Sequence, residues 1–256
     1  MSLPAISVMP ELSTDLIFAI AALAFATGVL HGATGMAGGV VMAAVLSHWL
    51  GIKVAIPAMT CALIFSHASR VWLYRKDISW PIAGRVLIFG IPTTIIGALI
   101  FVYLKPAIVA LVMALVLSLS FPIKHWARRR QLNTTPKVLS LASAAWGMLA
   151  GNVIGPGFFL APFLLGTGIN RLTFVGTLAA VTGAMNGIKL VVFGGASILS
   201  ADLLTLGVLI GLATIPGNLT GRYILTRIGD AQHRSIVDIL TLLMIGNFFY
   251  LFLSNR

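Results

Sequence analysis

Two cations stand where an apolar chain has little reason to place them. Arg70 and Lys189 each lie late in a long apolar run, 119 residues apart, and each follows a polar side chain three positions earlier, His67 and Asn186. Residues three apart share a helix face, so the pattern predicts two matching pairs of a cation and a hydrogen-bonding partner. A charge at membrane depth is costly and tends to face a partner or a water-filled cavity. A symmetric cationic pair of this kind suits a small anion. The same pattern also fits two anchors snorkelling from helix ends to the membrane surface, and the sequence leaves both readings open.

Two glycine-rich stretches supply a second kind of chemistry. One reads His31-Gly-Ala-Thr-Gly-Met-Ala-Gly-Gly39 and the other Gly151-Asn-Val-Ile-Gly-Pro-Gly157. Each interrupts an apolar run. A helix starting after such a break has free backbone N–H groups and a positive dipole end, both favourable to an anion. Glycine also lets a ligand approach the backbone closely. The expected substrate-binding set is therefore Thr34, Gly35, Gly38, Gly39, Asn152, Gly155, Pro156 and Gly157, together with His67, Arg70, Asn186 and Lys189. His31 and Asn218 are further hydrogen-bonding candidates beside these elements. The competing reading is that the glycines only let helices pack closely, as small residues often do in membranes.

Other chemistries lack their residues. The acidic side chains Glu11, Asp15, Asp77, Asp202, Asp230 and Asp238 all fall near expected loops or segment ends, which leaves no carboxylate for proton or sodium coupling at mid-membrane. Outward movement of an anion can proceed without coupling, because an inside-negative potential is worth about 2.3 kcal/mol per charge per 100 mV. If the movement is proton-linked instead, His31 or His67 would be the proton site. The histidines at 31, 48, 67, 125 and 233 form no HExxH pairing, and Cys61 stands alone. The chain therefore has no nucleophile–base or metal cluster for an intramembrane enzyme. No metal or cofactor is expected.

These residues are carried by a chain made for lipid. Of 256 residues, 59% are hydrophobic and only 9% charged, with a mean hydropathy of +1.03. That leaves too little polar surface to cover a water-facing globule. Apolar segments are expected at about 14–30, 37–50, 54–74, 82–103 and 106–122, then 138–150, 156–167, 172–193, 202–224 and 235–253. They are continuously apolar rather than alternating, so they read as helices and not barrel strands. The fold class is an all-α polytopic membrane protein forming one domain over residues 1–256. Residues 1–15 hold no Lys or Arg, so the first apolar segment is expected to be retained rather than cleaved as a signal.

The net charge of +11 collects in three clusters, Arg70 to Arg85, Lys124 to Lys137 and Arg222 to Arg234. They read as cytoplasmic loops under the positive-inside bias, not as a nucleic-acid surface.

The two halves match in order. Gly28, Gly32 and Gly38 lie 119 residues before Gly147, Gly151 and Gly157, and Ile91-Pro92 with Gly97 echoes Ile215-Pro216 with Gly221. Repeats are expected over 14–122 and 138–253. Keeping the basic clusters on one side requires even numbers of crossings between them. Each repeat then crosses an odd number of times, as spanning segments or with a re-entrant hairpin, and the halves are inverted. Both termini fall outside. Inverted repeats with helices broken at mid-membrane are a common architecture of secondary transporters.

At these residues the chain resembles the TauE/SafE family of membrane permeases, which includes sulfite exporters. The shared pattern is a glycine-rich stretch leading to a proline, a glycine and a small-residue element with threonine. Here it reads Gly155-Pro-Gly157, Pro162, Gly166-Thr-Gly168 and Gly176-Thr177 in the second half, and Gly35, Gly38-Gly39, Gly51 and Thr60 in the first. Ala43 stands where the first half would carry a proline, and Phe158 where a further glycine is usual. The resemblance spans about residues 14–253. It implies a transporter, in the exporting direction, of small sulfur-containing anions such as sulfite or organosulfonates, in a cell membrane of the bacterial inner-membrane kind. An anion channel would use the same residues and is the closest alternative. The resemblance says nothing of oligomeric state.

Overall fold

A computed structural model describes residues 14–255. Ten helices follow one another: α1 (Thr14–Thr34), α2 (Ala37–Leu50), α3 (Ile52–Leu73), α4 (Trp80–Tyr103), α5 (Pro106–Arg129), α6 (Pro136–Asn152), α7 (Gly157–Leu165), α8 (Arg171–Gly195), α9 (Ala201–Arg227) and α10 (Asp230–Ser254). No strand occurs among the described residues. Seven of the helices (α1, α3, α4, α5, α8, α9 and α10) are long and apolar enough to cross a membrane, and α2 is a shorter apolar helix of 14 residues. The chain is a multi-pass helical membrane protein.

Its outer surface fits that class. Ile88, Leu141, Val191 and Leu243 are exposed, in company with many other large apolar side chains. In water such a surface would drive association; in lipid it matches the solvent. Exposed Trp and Tyr side chains stand at or near helix ends, with Trp72, Trp80, Trp126 and Tyr223 at one end of the molecule and Trp49, Tyr103 and Tyr250 at the other. Aromatic belts of this kind mark the two membrane surfaces.

Helix pairing is reciprocal between the halves. α1 packs along α9, and α6 packs in the same way along α4. α3 also packs against α9, as α8 does against α4, while α3 meets α8 and α5 meets α10. Glycine makes both principal crossings possible. A Cβ at Gly28 would lie 2.7 Å from the Thr214 carbonyl, and one at Gly32 would lie 3.0 Å from the Gly221 Cα. On the other side, a Cβ at Gly147 would lie 2.8 Å from the Gly90 Cα, and one at Gly151 would lie 2.6 Å from the Gly97 carbonyl carbon. Backbones approach this closely only where side chains are missing, and the contact is dispersion packing rather than hydrophobic expulsion. Thr94 Oγ1 donates to the Gly147 carbonyl at 3.0 Å, and Asn218 Nδ2 donates to the Ser66 carbonyl at 3.1 Å and to Ser69 Oγ at 2.8 Å. Asn218 is thereby a staple between α9 and α3.

All three basic clusters gather at one end. The Arg222 guanidinium sits 5.1 Å from the Tyr74 ring centroid, and Arg171 donates to the Leu225 and Ile228 carbonyls at 3.1 and 3.2 Å. Lys124 pairs with Asp238, and Thr134 N–H donates to the Gly166 carbonyl at 2.8 Å. Two segments run further into these clusters than their hydropathy suggests. α5 continues through Pro122 to Arg129, seven residues past the expected 122. Ala127 is buried there, and the basic last turn complements the helix dipole. α10 begins at Asp230 rather than about 235, where the Gly229 N–H donates to Gln232 Oε1 at 3.1 Å as a helix start.

Candidate functional site

Both glycine-rich stretches are helix breaks. α1 stops at Thr34 and α2 starts at Ala37, with Gly35 in the left-handed region at φ +82°. Thr34 makes the turn: its Oγ1 donates to the Leu30 carbonyl at 2.6 Å and accepts from the Ala37 N–H at 3.0 Å. The chain folds back on itself here. A Cβ on Gly38 would collide with the Thr27 carbonyl and lie 2.7 Å from His31 Cβ, so α2 lies alongside α1 as a hairpin. α6 stops at Asn152 and α7 starts at Gly157, with Gly155 at φ +81°. The Asn152 amide turns back to donate to the Met148 carbonyl at 2.9 Å.

The two breaks meet. A Cβ on Gly155 would overlap the Val40 side chain of α2, and one on Gly157 would lie 3.7 Å from Met36 Cβ. Between them and the middles of α3 and α8 lies a cavity of about 40 Å³, lined by His31, Gly35, Met36, Gly39, Leu63, His67, Trp146, Ala150, Val153, Ile154, Gly155, Pro156, Gly157, Leu178, Thr182, Met185 and Asn186. A water needs about 10–15 Å³ on this measure, so the space is on the scale of one small oxyanion. Leu63 lies in the middle of 22-residue α3, with His67 one turn further along, and Thr182 in the middle of 25-residue α8. The cavity therefore sits near half-depth of the helices that span.

The expected site residues divide into three groups. Gly35, Gly39, Gly155, Pro156, Gly157, His67 and Asn186 line the cavity. Thr34, Gly38 and Asn152 shape the breaks from behind. Arg70 and Lys189 are buried and do not line the cavity themselves. Arg70 Nη2 donates to the Gly35 carbonyl at 2.9 Å and to the Val175 carbonyl at 3.3 Å, and Lys189 Nζ donates to the Val153 carbonyl at 3.3 Å. Each cation thus caps the carbonyl end of a broken helix, Arg70 that of α1 and Lys189 that of α6. Cations at helix C-termini offset the negative dipole end. The negative ends of α1 and α6 are offset, while the positive starts of α2 and α7 face the cavity. The Lys189 ammonium also stands 5.6 Å from the Phe193 ring centroid.

His67 is held from two sides, by Arg70 Nη1 at 3.4 Å and Thr182 Oγ1 at 3.3 Å, both at Nδ1. A guanidinium can only donate and the single Thr182 proton goes to the Leu178 carbonyl at 2.5 Å, so Nδ1 serves one of these two contacts at a time, according to its tautomer. His31 lies edge-on to His67 with ring centroids 5.2 Å apart.

Met36, Trp146 and Thr182 also line the cavity and gave no signal in the sequence. Thr182 pairs with His67 across α3 and α8, a contact that no spacing rule encodes. Trp146 resembles any aromatic in an apolar run, although its indole Nε1 is buried without a hydrogen-bond partner among the described residues.

A second and larger cavity, about 690 Å³, opens at the basic end between α5, α7 and α10. Lys124, Arg128, Gln131, Arg171 and Arg234 stand among apolar walls that include Phe158 and Phe174. Met36 lines both cavities, so it forms part of the wall between them.

A family model described as sulfite exporter TauE/SafE matches residues 20–248, nearly the whole chain. No curated protein and no solved structure matches it.

Proposed function

The chain belongs to the sulfite exporter TauE/SafE family, a family of membrane transporters, and from that premise we propose that it carries small sulfur-containing anions out of the cell, binding them one at a time in the cavity between the two helix breaks. The observation that carries the reading is the convergence of both breaks on one cavity near half-depth, with Arg70 and Lys189 directly behind it. The first-turn N–H groups of α2 and α7 that Thr34, Gly155 and Pro156 do not take up, the side chains of His67 and Asn186, and two charges in the layer behind form an anion site. None of these groups needs to change protonation for the anion to bind. The membrane potential can then drive export without a coupled ion.

The reciprocal packing of the halves supports inverted repeats over 14–122 and 138–253, since a two-fold exchange of helices is what such a duplication produces. The gathering of all three basic clusters at one end supports placing that end in the cytoplasm and both termini outside. On this reading the larger basic cavity is the cytoplasmic vestibule. Its charge concentrates anions, and Met36 is the barrier they pass to reach the inner site.

The test is flux from liposomes containing the purified protein. Sulfite and a panel of organosulfonates are loaded inside, and efflux is followed with and without an inside-negative potential. Saturable efflux of at least one sulfur anion, accelerated by the potential, is expected. Ohmic current without saturation makes the protein a channel, and no flux of any of these anions overturns the reading.

A further inference from the structure

We infer that the larger basic cavity binds an amphipathic organic anion, a sulfonate or carboxylate head on an apolar body, and that such a ligand blocks export. The block rests on the transport reading above; the binding does not. Helices α5 and α10 run in opposite directions, and the last turn of α5 and the first turn of α10 lie together at the basic end. Lys124 of α5 pairs there with Asp238 of α10. One turn nearer the end of each helix, the same antiparallel register sets Arg128 opposite Arg234, and both line the cavity. Among the described residues Asp238 is the one carboxylate in the lining, and Lys124 takes it. Arg171 is held by the Leu225 and Ile228 carbonyls. Arg128 and Arg234 have no carboxylate partner among the described residues, so two guanidiniums stand over one opening with no anion supplied by the chain.

Like charges set opposite each other repel. An oxyanion between them replaces that repulsion with charge-assisted hydrogen bonds, and the guanidinium fork matches the oxygens of a sulfonate or carboxylate. Behind the arginines the walls turn apolar, with Phe121, Phe158, Ala161, Leu165 and Phe174. Aromatic walls of this kind pack well on an aromatic body. The volume of about 690 Å³ falls within the roughly 300–1,000 Å³ of sites that hold drug-sized ligands. The inner cavity, at about 40 Å³, holds one small oxyanion. Sulfite has no body to fill the larger space, and a ligand that fills it is too large for the inner one. The two cavities therefore sort anions by size at Met36: compact ones pass and a bulky one stays and obstructs the route. An anionic lipid shares the chemistry of head and body. However, α5 packs along α10 and closes that flank, so the ligand assigned is a dissolved anion entering from the basic end.

The probe is naphthalene-2-sulfonate, with methanesulfonate as the same head without the body. Binding to the purified protein in zwitterionic nanodiscs is measured by calorimetry, and sulfite flux from liposomes is measured with the probe on both sides. Saturable binding of naphthalene-2-sulfonate, at least tenfold tighter than methanesulfonate, is expected, with sulfite flux falling in step with occupancy. Arg128 is exposed and Arg234 half-buried, so Arg128→Gln with Arg234→Gln can be made without disturbing the core. This double variant should weaken probe binding at least tenfold. Ala161→Phe keeps both arginines and fills the apolar space, and it should weaken probe binding as well. Wild-type affinity in both folded variants, or equal affinity for the two sulfonates, overturns the inference. Phosphatidylglycerol retained by the wild type in native mass spectrometry and lost from the arginine variant would give the cavity to a lipid headgroup and overturn the dissolved ligand. Probe binding that leaves sulfite flux unchanged overturns the block. Absence of saturable sulfite flux in the wild type overturns the transport reading instead, and the binding measurements then decide the site alone.

Discussion

Removing the Lys189 charge while keeping a donor should weaken anion binding strongly. Lys189 Nζ lies 3.3 Å from the carbonyl of Val153, itself a cavity-lining residue, so the charge stands one residue behind the cavity wall. At an effective dielectric of about 20, two unit charges at about 7 Å interact by roughly 2.4 kcal/mol, about fiftyfold in affinity. Lys189→Gln removes the charge and keeps a polar side chain, one atom shorter than the lysine that reaches the Val153 carbonyl. Arg70→Gln removes the second charge, with an amide two atoms shorter than the guanidinium that reaches the Gly35 carbonyl, so each variant is read only on folded protein. Each variant should raise the half-saturating sulfite concentration of liposome flux ten- to fiftyfold, and the double variant more than a hundredfold. Arg70→Lys, which keeps the charge, should lie close to wild type. The assay is initial flux against sulfite concentration, normalised to monodisperse protein in the liposomes. A folded double variant with half-saturation within twofold of wild type would refute the electrostatic argument, and backbone N–H groups and neutral side chains would remain as the ligands.

Three further outcomes follow from the same geometry. Gly39→Ala places a Cβ 3.4 Å from His31 Cε1 and 3.0 Å from Leu63 Cδ2, so it should cut flux at least tenfold with little change in Tm. Gly32→Ala, by contrast, sets a Cβ 2.5 Å from the Asn218 carbonyl at the α1–α9 crossing. Overpacking there should cost about 1–3 kcal/mol, read as a lower Tm and less monodisperse protein. For topology, a cysteine at residue 130 should react with an impermeant maleimide only in inverted vesicles and one at residue 255 only in intact cells. The reverse pattern would overturn the assigned orientation.

Much of this was legible in the sequence because lipid imposes simple rules. Ten apolar segments were expected and ten helices occur among the described residues, with α2 at the expected 37–50. Both breaks were visible because a glycine cluster inside an apolar run has few other uses. What glycine does at each position was not legible. Gly28, Gly32, Gly147 and Gly151 serve helix crossings, Gly38 serves the hairpin, and Gly35, Gly39, Gly155 and Gly157 line the cavity. The pattern of glycines is the same for close approach to a backbone and close approach to a ligand. The 119-residue offset found Arg70 and Lys189, but their acceptors are main-chain carbonyls, which have no sequence signature. Trp146 was missed for a related reason: Thr27 occupies the equivalent place in the first half, so the repeat does not point to it.

The account stands on where the anion sits. Selenite, a close chemical analogue of sulfite, carries an anomalous scatterer and can be located in a crystal of the protein without reference to a refined model. A single anomalous peak between Gly39 and Gly157, within hydrogen-bonding reach of the α2 and α7 starts, is the predicted result. A peak confined to the basic cavity beside Lys124 and Arg128, with none between the breaks at saturating selenite, would contradict it.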